Sequence, residues 1–562
     1  MKLERATFGF GIAILALGTR PGSTQCEGTE LADGDGEAGE LFGRSVALYG
    51  DTALVGSPSK DVTGSDSGAV YVFELQAGAW VQTARLTPLD AAAGDAFGSS
   101  VALFRDAALV GAPGDDGAAS NAGAAYVFER TGTSWSQVAE LAATAAAAGD
   151  AFGAAVALFD GVAAVGAPGD DSASEAAGAV HVFEGSGTSW SPAARLTASD
   201  ATSGNFLGTS VSLADGVVVA GGAGFDGPPG RAYVFERSLG GTWGPTETAR
   251  LLPSAGAPIV RFGFSVAVAG GVALVGDPLD NPGSFGSGAV YVFERSAPGA
   301  WSTAETAKLT VDHGQDIVEL GWSLSLWGTR ALASARETHR GTGAAYVFEL
   351  ESGSWSQVAA FRSPVGGFDS FGDAASIFGD AVLVSASTGD GLVPESGVAY
   401  VFAAPGFAEA YCFCDSDAEV CSVHGGGGCP TSIGRGALLN ACGSGSVSAD
   451  DLVMTASGVP PDQTGIFFMG AGRLDQPFGD GLRCVGAGGA GIFRFLPPQD
   501  SGPAGTLTLG PGIVAHSIAR FAGAGHIVAG DTWNFQNWFR DPFGPCGSAF
   551  NLSNALAVSF AP

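Results

Sequence analysis

The stretch Phe97-Gly98-Ser99-Ser100-Val101-Ala102-Leu103, followed by Ala108-Leu109-Val110-Gly111-Ala112-Pro113, by Gly123-Ala124-Ala125-Tyr126-Val127-Phe128-Glu129 and then by Trp135 and Leu141, decides how this chain folds. Its first glycine recurs at Gly43, Gly98, Gly153, Gly208, Gly263, Gly321 and Gly372, at spacings of 55, 55, 55, 55, 58 and 51 residues. The aromatic element returns at Tyr71, Tyr126, His181, Tyr233, Tyr291, Tyr346 and Tyr400, with histidine once replacing tyrosine, and the tryptophan at Trp80, Trp135, Trp190, Trp243, Trp301 and Trp355. Self-similarity at such a period signals units that hide their apolar faces only by stacking on one another.

Each unit reads as four strands, because its runs of Val, Ala, Leu, Tyr and Phe are short and bounded by Gly, Asp and Pro. Glycine density disfavours helix. The first two strands meet at tight turns such as Asp160-Gly161, Asp215-Gly216 and Gly270-Gly271, pairs that tolerate the positive φ of hairpin turns. Seven such sheets stacked radially make an all-β, seven-bladed β-propeller over residues 26–404. Small residues crowd the first two strands, where sheets converge on an axis, and the aromatics are expected farther out, where blades splay. A ring must also close. A leucine precedes the first glycine by twelve residues at Leu86, Leu141, Leu196, Leu251 and Leu309, and the same count back from Gly43 gives Leu31. The last unit ends at Val401-Phe402 without a tryptophan strand, so the N-terminal segment is expected to supply its outer strand. Cys26 would then lie near Cys412 or Cys414, where a disulfide could staple the ring.

Phe-Gly followed by Gly-Ala-Pro, at Gly111 to Pro113 and again at Gly166 to Pro168, resembles the FG-GAP signature of integrin α subunits and of many bacterial exported proteins. The resemblance covers residues 29–403. It implies a seven-bladed propeller used for extracellular recognition, often with calcium in the blade loops. Calcium-binding members carry a D-x-D-x-D-G type run between the Phe-Gly and Gly-Ala-Pro strands, whereas this chain has only a tight turn there, such as Phe104-Arg105-Asp106. The integrin-type calcium sites are therefore not carried over.

The 562-residue chain holds 90 glycines, and 25 basic residues against 56 acidic ones give a net charge of −31, which repels nucleic acid and anionic lipid. Lys2 and Arg5 followed by an apolar run from Ala6 to Leu17 read as a signal peptide over residues 1–18, the run being too short to span a bilayer. No second long apolar stretch follows, so a secreted or cell-surface protein without a transmembrane segment after signal removal is expected. The eight cysteines Cys26, Cys412, Cys414, Cys421, Cys429, Cys442, Cys484 and Cys546 are disulfide candidates in such a compartment, and no C-x2-C pair favours zinc.

In an up-and-down blade the loop after the second strand and the loop before the first share one face. Here the former carry Asp61, Asp66, Asp115, Asp116, Asp170, Asp171, Glu175, Asp226, Asp277, Asp280, Asp390 and Glu395; the latter add Asp33, Asp35, Glu37, Glu40, Asp90, Asp95, Asp150, Asp200, Asp316 and Asp369. Few basic residues are expected opposite them, since Arg130, Arg237 and Arg295 fall toward the other face. Converging carboxylates suit a hard cation or a basic partner, which makes Asp115, Asp116, Asp170 and Asp171 the candidate calcium ligands. The competing reading is that Gly-Asp-Asp makes solvated turns, the aspartate bonding its own backbone. No G-x-S-x-G, HExxH or phosphate loop occurs, and the six histidines form no metal-like pair.

Residues 405–445 are rich in cysteine and glycine and read as a junction. Segments 451–457, 465–469, 492–496, 506–509, 532–539 and 555–560 read as strands of a small β-sandwich-like domain over 446–562. It is similar to the β-rich terminal module that follows such repeats in exported planctomycete-type proteins. Trp533 and Trp538 could stack on sugars or form one buried and one half-exposed strand face. Together these features point to a non-enzymatic recognition or adhesion protein presenting an acidic face to an extracellular protein, glycan or matrix partner. The alternative is a carbohydrate- or lipid-active hydrolase or lyase on a propeller scaffold with bound calcium.

Overall fold

The computed structural model describes residues 28–561 apart from 77–78, 224–229, 239, 255–260, 281–285, 297–299, 312–317, 337–341, 352, 364–369, 390, 392, 404–407, 412–430, 434–436, 443–444, 451 and 545–546. Seven four-stranded antiparallel sheets form the blades of a propeller. Blade 2 is typical, with strands Ser100–Phe104, Ala107–Ala112, Ala124–Thr131 and Ser134–Leu141 from inside to outside. Pairing of Phe159 with Val162 leaves Asp160 and Gly161 as a two-residue turn with both φ positive, as the sequence predicts.

Blade 7 joins the two ends of the repeat region. Phe371–Phe378, Ala381–Ala386 and Val398–Ala403 are completed by Thr29–Leu31, which pairs with Val401, Tyr400 and Ala399. Leu31 is buried in the cluster between blades 7 and 1, alongside Tyr71 and Ala399. The innermost strand of blade 7 also lies against Ser45–Tyr49 of blade 1, so the ring is closed and the outer edge of its last sheet is covered. Cys26, Cys412 and Cys414 lie outside the described residues.

Glycine meets glycine where neighbouring blades approach most closely. Gly98, at φ 93°, donates its N–H to the carbonyl of Gly111 in its own blade at 3.0 Å, and accepts the Ser45 hydroxyl of blade 1 at 2.7 Å. A Cβ on Gly56 of blade 1 would lie 2.2 Å from that Gly98 carbonyl oxygen. The arrangement repeats around the ring: a Cβ on Gly111 would lie 2.0 Å from Gly153 O, and the Ser100, Ser210 and Ser265 hydroxyls bond the next blade's glycine carbonyl. The preceding Phe42, Phe97, Phe152, Phe262 and Phe371 are fully buried between blades. In blades 6 and 7, Ser334 and Ser385 replace the second glycine; both are buried and turn their hydroxyls to the carbonyls of Ser323 and Ala374.

The repeated tyrosines are buried as expected, but the aromatics are not confined to the outside. Trp327, Phe378, Tyr49, Phe104 and Phe159 end the first strands of five blades and touch in sequence around the axis, with ring centroids 4.1 to 5.3 Å apart. The strands have splayed enough at that end of the axis to need bulk, which alternation along one strand does not reveal.

The C-terminal region is a β-sandwich. One sheet contains Ala408–Tyr411, Phe550–Ser559, Thr532–Arg540, Thr464–Gly470 and Ile492–Arg494; the other contains Leu438–Cys442, Val453–Ser457 and Leu507–Leu509. Their facing side chains, among them Leu439, Met454, Phe467, Met469, Phe535 and Val558, make one core. Two of these strands come from the 405–445 stretch, where glycine and cysteine mask short pairing segments. Leu438 also packs into the core of blades 5 and 6 beside Tyr346. A helix, Ile513–Arg520, lies where only turns and strands were expected; the Asp450 carboxylate accepts the Val514 and Ala515 N–H groups at 2.7 and 2.9 Å and so caps it from a distant segment.

The glycine contact generates a direct test. Gly111→Ala should lower stability by about 2 kcal/mol or more, because its new methyl meets backbone that cannot step aside. Gly34→Ala, where a Cβ meets nothing within 4 Å, should stay within about 0.5 kcal/mol of the parent. Denaturant melts of the two variants check the difference.

Candidate functional site: the acidic loop face

The loops after second strands and before first strands do lie side by side. Gly94 donates its N–H to Ser65 O at 2.9 Å, Gly149 to Ser120 O and Gly204 to Glu175 O, both at 3.0 Å. Gly39 does the same to Glu395 O at 2.9 Å across the closure of the ring. Asp226, Asp316, Asp369 and Asp390 lie outside the described residues.

Asp115 accepts the N–H of Gly117 at 2.8 Å and the Tyr126 hydroxyl at 2.9 Å; Asp116 accepts the Asn121 N–H at 2.7 Å. Asp170 accepts from Ser172 and from Arg195, and Asp171 from the Ala176 N–H at 2.6 Å. Asp115 and Asp170 are buried, whereas Asp116 and Asp171 are exposed. Among the described residues no group of three or more His, Cys, Asp or Glu side chains is placed to hold a metal ion. The four aspartates thus sit in turns whose backbone they bond, two in each loop.

Opposite these carboxylates stand more basic side chains than the sequence reading allowed. Residues paired across from the repeated tyrosine on the outermost strand are Arg85, Arg195, Arg250 and Lys308 in blades 1, 3, 4 and 5. Arg85 contacts Asp35 at 2.8 Å, Arg195 contacts Asp170 at 2.5 Å, Arg250 contacts Asp200 at 3.1 Å and Lys308 contacts Asp280 at 2.6 Å. The hydroxyls of Tyr71, Tyr233 and Tyr291 donate to the same three aspartates, Asp35, Asp200 and Asp280. The recurring device is therefore a buried tyrosine, a loop aspartate and an outer-strand cation. The cation was overlooked because Ala-Arg-Leu reads as an ordinary strand, and only the cross-strand register places it over the loop.

Blade 2 departs from this pattern, as do blades 6 and 7, where Ala360 and Glu30 stand opposite Tyr346 and Tyr400. Glu140 takes the cation's place opposite Tyr126. Desolvation first, then Asp90 and Asp115, hold its carboxyl above the usual range. Asp95 is raised as well, by burial and then by Asp115, Asp90 and Asp116 against the opposing bond from Ala92. Among the described residues no basic side chain pairs with Asp90, Asp115, Asp116 or Glu140.

Blade 3 differs in another way. His181, in the tyrosine position, is shorter and leaves Nε2 3.7 Å from Asp170 Oδ2, beyond hydrogen-bond reach. A cleft of about 580 Å³ opens there, lined by Asp150, Asp170, Asp171, His181, Phe183 and Arg195 among others. Burial pushes the Asp170 carboxyl up, but contacts with His181 and Ser172 and the Arg195 charge outweigh it and hold the group well below the carboxylate range.

The Asp33-Gly34-Asp35-Gly36-Glu37 run is occupied by the protein itself. Lys60 Nζ bonds Asp35 O at 2.6 Å and Glu40 at 2.5 Å and stands 3.9 Å from Asp33. Burial, followed by Glu40, pushes Asp33 up to about 7. On the other face, Arg130, Arg237 and Arg295 reach Glu74, Glu184 and Glu236 of the preceding blade at 2.9, 2.9 and 3.0 Å. Trp243 and Trp301 donate to Glu184 and Glu236, so this face is stitched from blade to blade.

The FG-GAP repeat model matches residues 27–73, 80–128, 135–183, 190–235 and 245–293. The chain thus carries five FG-GAP repeats, and it folds as a propeller with a second β domain. Blades 6 and 7, outside the match, are those in which serine replaces the second glycine. No curated protein matches the chain. Among solved structures, that of Saccharomyces cerevisiae Sqt1 is similar at 10% identity with a TM-score of 0.39, covering 77% of this chain and 96% of that one. No described helix is long and apolar enough to cross a membrane.

Asp277 offers a pH test. It occupies the position filled by Ala112, Ala167, Ala335 and Ala386 in other blades, and burial followed by the charge of Asp280 pushes it up to about 6. An acid that holds its proton more tightly when folded loses stability for the fold as pH rises from its unfolded pKa through its folded one. Between about pH 4 and pH 6 this group should therefore remove up to about 3 kcal/mol. Asp277→Ala should melt higher than the parent at pH 7.5, with the gap shrinking at pH 4.5; a gap constant with pH would contradict the assignment.

Proposed function

We propose that the protein is an exported, non-enzymatic recognition or adhesion protein, and that its propeller docks a basic surface of an extracellular protein, glycan or matrix partner on the acidic loop face. The observation that carries this reading is the unneutralised acid of blade 2 beside the cleft of blade 3. Blades 1, 4 and 5 set an outer-strand cation on the tyrosine-linked aspartate and blade 3 sets Arg195 on Asp170 beside His181, whereas blade 2 supplies Glu140 instead. Like charges left facing one another weaken the blade, and a cation brought by a partner relieves them. The exposed Asp61, Asp66, Asp90, Asp116, Asp171 and Glu175 extend the same field across blades 1 to 3. Export is supported by the apolar leader and the even cysteine count, and Cys484 is disulfide-bonded. The two paired turn aspartates, Asp115-Asp116 and Asp170-Asp171, shape this surface by bonding the backbone of their own turns.

Glu140→Arg restores the missing cation. It should raise stability by about 0.5 kcal/mol and weaken capture of partners from an array of surface proteins and glycans by about tenfold or more, with parent binding falling steeply as salt rises. Partners held equally by parent and variant, or insensitive to salt, would overturn the reading. A large rise of the melting temperature with added calcium would favour the calcium-bearing hydrolase instead.

A further inference from the structure

The C-terminal sandwich carries a site of a different kind. One face of the sheet formed by Thr464–Gly470, Ile492–Arg494, Thr532–Arg540 and Phe550–Ser559 builds the sandwich core. Its other face is partly covered by the hairpin of Gly472–Phe478 and Gly481–Gly486, through Phe468, Leu482, Val485 and Leu552. Between hairpin and sheet a cavity of about 270 Å³ remains, walled by Ile466, Phe468, Ile492 and Trp538 and bounded by Arg483 and Arg494. Trp538 and Phe478 both pack on Phe550, with ring centroids at 5.8 and 5.2 Å, which gives the cavity an aromatic side, and Phe478 is 43% exposed.

Two guanidinium groups at the rim of an apolar cavity offer an anion a seat. In a chain with 56 acidic residues against 25 basic ones, a surface arginine readily finds a carboxylate, yet among the described residues neither Arg483 nor Arg494 pairs with one. Arg483 lies 5.7 Å from the Phe478 ring centre, contacts Gln476 at 3.4 Å, and keeps a buried Nε–H with no hydrogen-bond partner. A buried donor left unpaired costs free energy that an incoming acceptor recovers. We infer that this cavity binds a small organic monocarboxylate, its apolar body against Ile466, Phe468 and Trp538 and its carboxylate on Arg483 and Arg494. Cavities of this character, apolar walls with a few polar groups fixing orientation, are the usual form of small-molecule sites. The inference is independent of the acidic loop face.

Calorimetric titration of the full chain with octanoate and with octanol tests it. Octanoate should bind saturably at one site per chain, and octanol about tenfold more weakly, since only the carboxylate meets the guanidinium pair. The double variant Arg483→Ala, Arg494→Ala should bind octanoate no better than octanol while retaining the parent's affinity for octanol. Phe478→Ala should weaken both. Absence of saturable octanoate binding, equal affinity for the two ligands, or full retention of octanoate binding in the double variant would overturn the inference. Should the double variant fail to fold, the parent's preference between the two ligands decides.

Discussion

The contact on which this molecule depends is between two glycines. Where blades converge, the carbonyl of one blade's Phe-Gly glycine sits so close to the neighbour's Gly-Ala-Pro glycine that a methyl group on the latter would overlap it, as between Gly98 and Gly56 or Gly153 and Gly111. Close packing in an interior leaves no slack to absorb such an atom. Around this approach the rest is arranged: a serine hydroxyl of the neighbouring inner strand bonds the same carbonyl, and the buried phenylalanine before it packs on its own blade's aromatic run and fills the gap between the two sheets. Each sheet has apolar faces on both sides, so no blade is self-sufficient, and closure by Thr29–Leu31 leaves none at an open end.

Such a frame commits the apolar residues, and in blades 1, 2, 4 and 5 one serine hydroxyl, to packing, and it leaves specificity to the loops. The two faces use charge differently. One is stitched between blades, with arginine and tryptophan of one sheet held by glutamate of the preceding sheet. On the other face the charges are mostly satisfied within a blade, by tyrosine, aspartate and an outer-strand cation. Glu140 stands out against the four blades whose outer strands place a cation at that register, a place taken by Ala360 in blade 6 and Glu30 in blade 7.

Architecture was legible because period, turn residues and the register leucine all reflect backbone constraints that each repeat must meet. Leu31 could be placed in blade 7 by counting alone, since its burial position is the same as that of Leu86 or Leu141. The site was less legible. That Asp115 bonds a tyrosine eleven residues later, while Asp200 serves Tyr233 and Asp35 serves Tyr71, follows from three-dimensional proximity of loops with unequal lengths. Arg195 over Asp170 depends on cross-strand register, which a one-residue slip would reverse. The helix at Ile513–Arg520 was hidden because its cap, Asp450, lies far away in sequence. The aromatic arc through Trp327 and Tyr49 required knowing which way first strands splay.

Hydrogen exchange on the third strand of blade 7 probes the closed ring most directly, because exchange reports whether a backbone edge is paired. In the intact chain the amides of Ala399 to Val401 that face the N-terminal strand should be as protected as those of Ala125 to Val127 in blade 2, and they should lose that protection when Thr29–Leu31 is deleted. Rapid exchange at Ala399 to Val401 in the intact chain, with blade 2 protected, would mean that the N-terminal segment does not close the ring.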